Sequence, residues 1–172
     1  MSAMELNIYP LIWQGLINSV GIFWPYYLLL LFLIVIRFVW LMYKQYLLAK
    51  AGMPEIDRMT GDEFEQRLGI LFEKFGYTVE YVGSHRGDFG ADLVIEKARM
   101  RTVVQAKRHA SYIPERAVQE AVAAIKMYKA HRAMVVTNNY FSRAARALAK
   151  ANDVELWDRD ELARRMVEIY KL

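Results

Sequence analysis

Cysteine is missing from the 172-residue chain, so neither a disulfide scaffold nor a thiolate metal centre can belong to its chemistry. Histidine is nearly as scarce: His85, His109 and His131 are scattered, without the HxxxH or HxH spacing of a zinc hydrolase. A strong charge of either sign is also lacking. The 23 basic and 19 acidic residues leave a net charge of +4, which permits a polyanionic partner without demanding one. The length suffices for one ordinary domain with a real core and something more.

What the chain does have is a long apolar run. From Gly21 to Met42 the only charge is Arg37, and a helix of about 20 residues crosses a hydrocarbon core of ~30 Å. Trp24, Tyr26 and Tyr27 mark one edge and Trp40, Tyr43 and Tyr46 the other, where amphipathic rings prefer the headgroup region. Arg37 is close enough to the second edge for its guanidinium to snorkel outward. The run is apolar all round, unlike the amphipathic helix of a soluble core. A cleaved signal peptide fits poorly, because Glu5 stands where lysines would and the apolar core exceeds ~15 residues.

These features predict a membrane segment over 1–48 with a spanning helix at about 21–43. For about 8–20, where Gln14 and Asn18 share a helical face, an interfacial helix and one arm of a membrane hairpin fit equally well. Lys44, Lys50 and Arg58 follow the span while an acid precedes it, which predicts a single-pass protein of the plasma or inner membrane with its C-terminal domain in the cytoplasm. Gly52 and Pro54 are helix breakers, so 49–58 reads as a linker.

A mixed α/β domain is expected over 59–172. Thr60 and Glu63 are spaced as a capping box, with Met59 and Phe64 as the hydrophobic staple. Phe64, Leu68, Leu71, Phe72 and Phe75 form a helical stripe that Gly76 ends. "YTVEYV", "ADLVIE" and "TVVQAK" read as strands, followed by a helix from Pro114 to about Tyr128. "AMVVT", a helix capped by Ser142, "VELW" and a closing helix from Arg159 complete the order α-β-β-β-α-β-α-β-α. Helices must then flank a central mixed sheet.

The second and third of these strands carry ionisable groups at the ends that a hairpin would bring together. Side chains alternate along a strand, so Asp92 shares a face with Val94, and Gln105 and Lys107 share one with Val103. Pairing Glu96 with Arg101 sets Asp92 opposite Gln105 and diagonal to Lys107, whereas an odd loop without a bulge puts them on opposite faces. Carboxylate, amide oxygen and ammonium would then suit a hard cation with its waters and a phosphoryl substrate. The competing reading is a solvated strand end, with Asp92 capping a turn and Lys107 in water.

"MTGDEFEQRLGILFEKFGYTVE", "GDFGADLVIE", "VVQAKR" and "AVQEAVAAIKMYKAHRAMVVTNNYFSRAARALAKANDVELWDRDEL" together resemble the catalytic domain of the Mrr-like restriction endonucleases, a branch of the PD-(D/E)xK nuclease superfamily. The resemblance runs from Met59 to nearly the end and leaves out the membrane segment. It implies a restriction-endonuclease-like fold preceded by a transmembrane helix. It also implies an endodeoxyribonuclease that uses Mg²⁺, or Mn²⁺ in its place, and leaves 5′-phosphate and 3′-hydroxyl ends. By the same resemblance Asp92 is the principal metal ligand, Gln105 stands where most of the superfamily has a second acid, Lys107 is the catalytic lysine, and Glu65 is the acid of the first helix. Glu63 is occupied by the capping box, which leaves Glu65 to turn toward the metal. Asp88 fits as a loop-shaping or secondary site residue.

With Glu65 and Asp92 the site would carry about −2, enough to neutralise one divalent cation. One firmly bound metal is therefore expected, with any second arriving with the phosphate. His85 and Arg86 adjoin the acid and are candidates for contact with the scissile phosphate. Arg143, Arg146 and Lys150 recur at near-helical spacing, and Lys126, Lys129, Arg99 and Arg101 form smaller basic sets. Each set suits phosphates and equally suits a solvated face. The expected partners are DNA, the lipid bilayer, and a second copy or more for double-strand cleavage, with foreign or modified DNA as the target. The alternative is a nuclease-fold module that holds DNA at the membrane without cutting it.

Overall fold

A computed structural model describes residues 9–82 and 90–170 of the chain. The chain divides into an N-terminal unit ending at Gln45 and a C-terminal unit beginning at Tyr46. Most of the N-terminal unit is helix α1 (Tyr9–Lys50), which continues through Pro25. The residues expected to form a separate interfacial helix or a hairpin arm are thus the first turns of the same helix as the apolar run. From Phe23 to Lys44, 22 residues, the mean hydropathy is 2.1 and none of the window is buried by protein. Leu31, Phe32 and Ile34 are all exposed. Apolar surface left in water forgoes roughly 25 cal/mol per Å², so a helix hydrophobic all round calls for apolar surroundings. Among the described residues it is the one helix long and apolar enough to cross a membrane.

In the C-terminal unit the elements run α2 (Met53–Ile56), α3 (Gly61–Lys74), β1 (Thr78–Tyr81), β2 (Leu93–Lys97), β3 (Met100–Lys107), α4 (Glu115–Met127), β4 (Arg132–Thr137), α5 (Arg143–Ala151), β5 (Glu155–Trp157) and α6 (Arg159–Tyr170). From α3 onward this is the expected order. The five strands form one sheet in the order β1-β2-β3-β4-β5. The first three are antiparallel neighbours and the last three parallel ones; a two-residue turn joins β2 to β3, while α4 and α5 serve as the parallel crossovers.

Alternation along the strands makes two cores. Leu93, Ile95, Val104 and Val136 join Phe64, Leu68 and Phe72 of α3 and Leu162 and Met166 of α6. Val94, Val103 and Val135 join Val118 and Ala121 of α4 and Ala145 of α5 on the other face. Helix starts follow the local code. Thr60 Oγ1 accepts from Glu63 N at 3.3 Å and Glu63 Oε2 accepts from Thr60 N at 2.7 Å, closing the capping box. Ser142 Oγ accepts from Ala145 N at 3.0 Å.

Residues 49–58, expected as a linker, contribute Ala51, Met53 and Ile56 to the α3/α6 core. Gly52 takes a left-handed conformation, φ 70°, and Pro54 stands in the first turn of α2, so the two breakers turn the chain into the domain. Asp57 then receives both guanidinium arms of Arg159 at 2.7 Å, and Asn138 Nδ2 at 2.9 Å. The hydrogen bonds from Arg159 outweigh burial and hold its carboxyl below the ordinary value of 3.8. A depressed acid stabilises the fold fully above its unfolded pKa and loses that contribution as pH falls through the folded one. Asp57→Asn is therefore expected to lower the thermal midpoint at neutral pH. The gap from wild type should close as the pH drops below 3.8, and melts across that range measure it.

Candidate active site

The β2–β3 hairpin has the register the site requires. Glu96 pairs with Arg101 and Leu93 with Val104, and Asp92 N donates to Val104 O at 2.9 Å. The turn is Ala98–Arg99, with φ of 53° and 64°, the two left-handed positions of a hairpin turn whose twist matches the strands. Two residues make an even loop. Asp92, Gln105 and Lys107 therefore lie on the face of Val94 and Val103, the face covered by α4.

Asp92 and Gln105 are 4% and 2% exposed. Gln105 Nε2 donates to Asp92 Oδ2, and Ala106 N donates to the same oxygen at 2.6 Å. The carboxylate dictates the orientation of the amide, since the reverse would set two oxygens against each other. Gln105 Oε1 is consequently left buried without a hydrogen-bond partner. Such an atom costs about 1–3 kcal/mol, which singles out a position where another group belongs. An uncompensated carbonyl oxygen beside a carboxylate is a hard donor set of the kind Mg²⁺ takes along with several waters. No three His, Asp or Glu side chains form a cluster among the described residues. The fit therefore rests on Asp92 and the orphaned amide oxygen.

Lys107 Nζ is 3.0 Å from Glu120 Oε2 on α4, and Arg116 Nε is 2.9 Å from Glu120 Oε1. Burial pushes the Glu120 carboxyl up, but hydrogen bonds from Lys107 and Arg116 outweigh it and hold the group below its usual value. Thr137 Oγ1 donates to Lys107 O at 2.6 Å, so the backbone of the lysine is fixed from β4 as well. Gly90, two residues before Asp92, has φ 80°, and a Cβ there would collide with the carbonyl oxygen of Glu120. The segment that delivers Asp92 is thus pressed against the same turn of α4 that holds Lys107.

Sequence reasoning missed Glu120 and Gly90. A signal for Glu120 existed, because it stands three residues after Ala117 and one before Ala121, at the margin of the buried stripe of α4.

The other predicted residues are more widely placed. Glu65 lies early in α3, whose N-terminal end is at the Asp92 end of the sheet, since only three residues join its last turn to β1. The helix packs on the opposite face from Asp92, Gln105 and Lys107. Arg143 opens α5 and is exposed. Arg146 binds Asp158 at 2.8 Å and sits 5.9 Å from the Phe141 ring centre. Arg101 is at the far, turn end of the hairpin, 3.2 Å from Glu80 and 3.5 Å from Glu96. His85, Arg86 and Asp88 lie outside the described residues.

Comparison with known proteins agrees with this architecture. The Mrr_cat restriction endonuclease family model matches residues 56–166. Among solved structures the chain is similar to "Protein of Unknown Function AF1548", with a TM-score of 0.53 and 18% identity over 63% of this chain and 65% of that one. It is also similar to the DNA modification-dependent restriction endonuclease AspBHI, with a TM-score of 0.55 and 14% identity over 75% of this chain and 36% of that one. At these identities the likeness is one of fold, and the matched part spans less than two thirds of either protein. No curated protein matches the sequence.

Proposed function

Because the chain belongs to the Mrr_cat restriction endonuclease family, we propose that it is a Mg²⁺-dependent DNA endonuclease held at a membrane by α1. Its nuclease domain acts on the cytoplasmic side and restricts foreign or modified DNA. The observation that carries this reading is the meeting of Asp92, Gln105 and Lys107 on one face, with a buried amide oxygen left without a partner.

Asp92 and Gln105 Oε1 would hold the metal, and Glu65, although its helix covers the opposite face, would reach it around the Asp92 end of the sheet. When bound, Mg²⁺ supplies Lewis acidity, making water a better nucleophile and offsetting charge on the phosphoryl oxygens. Asp92 keeps Gln105 oriented through the Nε2 hydrogen bond. Lys107 donates to the phosphate under attack, where a preorganised ammonium stabilises the charge that develops. Glu120 holds that ammonium in place. Water adds to phosphorus, the bond to the 3′ oxygen breaks, and the departing oxygen takes a proton, which leaves 5′-phosphate and 3′-hydroxyl ends. One such site cuts one strand, so a double-strand break takes two copies or two events.

The test uses the full chain in detergent with supercoiled plasmid and Mg²⁺, methylated and unmethylated, beside Asp92→Asn. Wild type is expected to nick or linearise the plasmid and leave ends that a ligase can rejoin. Asp92→Asn should lose at least about a hundredfold in rate while remaining folded, because an amide oxygen can still accept from Ala106 N. Retention of plasmid without cutting by folded wild type, with either Mg²⁺ or Mn²⁺, would replace this reading with that of a tethered DNA-binding module.

A further inference from the structure

Beyond Lys107 the chain borders a cleft. Arg108 is the first residue after β3. It lines a cleft of about 360 Å³ with His109, Asn139, Tyr140, Asp57 and Arg159. Most polar groups of this cleft are engaged. Arg159 grips Asp57 with both arms, Asn138 Oδ1 accepts from His109 N at 2.8 Å, and Tyr140 Oη donates to Asp160 at 3.0 Å. Arg108 differs. Its Nε is buried and has no hydrogen-bond partner, and it forms no ion pair among the described residues. Arg101 Nε is likewise buried without a partner, but Arg101 and Arg159 each meet a carboxylate.

Arg108 is half-buried, and a guanidinium nitrogen taken out of water without a hydrogen-bond partner is a costly arrangement. The two arginines against Asp57 leave the cleft with one positive charge in excess. His109 adds a directed donor, for its Nδ1 accepts from Ser111 N at 3.2 Å, which puts the ring proton on Nε2.

We propose that the Arg108–His109 cleft binds a phosphodiester of the DNA strand beside the one cleaved at Lys107. The inference rests on the nuclease reading above. Lys107 meets Glu120 on α4 while Arg108 lines the cleft with Asp57 and Arg159, so a DNA backbone lying across the end of β3 meets Lys107 on one side and Arg108 on the other. Arginine suits the role because its planar fork matches two phosphate oxygens at once.

The experiment measures binding of a short fluorescent duplex to the full chain in detergent, with Ca²⁺ in place of Mg²⁺ so that binding is read without cutting. Arg108→Ala is expected to weaken binding about tenfold and to reduce the salt slope by about one ion. Arg108→Lys should restore the slope but only part of the affinity, since it keeps the charge and loses the fork. Melting curves of both variants confirm folding. If wild type binds and Arg108→Ala binds with the same affinity and slope, the cleft is no phosphate site and the nuclease reading stands. If wild type neither binds nor cuts any duplex, both fall together.

Discussion

Lys107→Ala is expected to lower Mg²⁺-dependent plasmid cleavage by about a thousandfold or more, as does loss of a preorganised charge at a reacting centre, while moving the thermal midpoint little. The two effects separate because the lysine contributes little to the fold. Its side chain is 33% exposed and its partner Glu120 is also bound by Arg116, and ion pairs of this kind contribute about 0–1 kcal/mol. Glu120→Gln tests the support of that ammonium. The amide keeps the shape but not the charge, so a loss of about tenfold in kcat is expected with KM unchanged, the signature of a contact used only in the transition state. Glu120→Asp should recover part of it. A lysine variant that keeps a tenth or more of wild-type cleavage would remove Lys107 from the chemistry.

Gly90→Ala should be the most damaging glycine-to-alanine change among the described residues. Two costs coincide there: left-handed backbone, about 1–2 kcal/mol for a residue with a Cβ, and overpacking, about 1–3 kcal/mol. The obstacle is the backbone of α4 at Glu120, which cannot rotate aside. Gly69→Ala is the natural comparison, because there the added Cβ would meet the ring and hydroxyl of Tyr81, a half-exposed side chain free to swing outward. Urea titration should show Gly90→Ala destabilised by several kcal/mol and Gly69→Ala by much less. Equal midpoints would mean that the contact between Gly90 and α4 does not constrain the segment. Cleavage by Gly90→Ala should fall further than its stability explains, since Asp92 follows two residues later.

Much of this was legible because it obeys local rules. The capping box at Thr60, the cap at Ser142, the stripe of α3 and the parity of the β2–β3 hairpin each depend on residues within about fifteen positions of one another. What escaped depends on distance. Glu120 meets Lys107 only because α4 folds back over β3, and Asp57 meets Arg159 across 102 residues. Gly52 and Pro54 read as helix breakers in a linker, and their position does not tell that they bend Met53 and Ile56 into the core. The orphaned oxygen of Gln105 was also invisible, since which end of an amide lacks a partner is settled only by its neighbours.

The Ala98–Arg99 turn bears on how Asp92, Gln105 and Lys107 are kept in register. Neither residue has the Asn-Gly chemistry that favours such a bend, so the loop cannot be what chooses the pairing. The choice falls to Leu93, Val94, Val103 and Val104, whose burial on two separate cores penalises a slip by one position. Alignment of the candidate site is thus a by-product of oil-like residues buried away from it on both faces of the sheet. The bend itself is open to redesign: Asn-Gly grafted at 98–99 should speed folding and leave turnover alone.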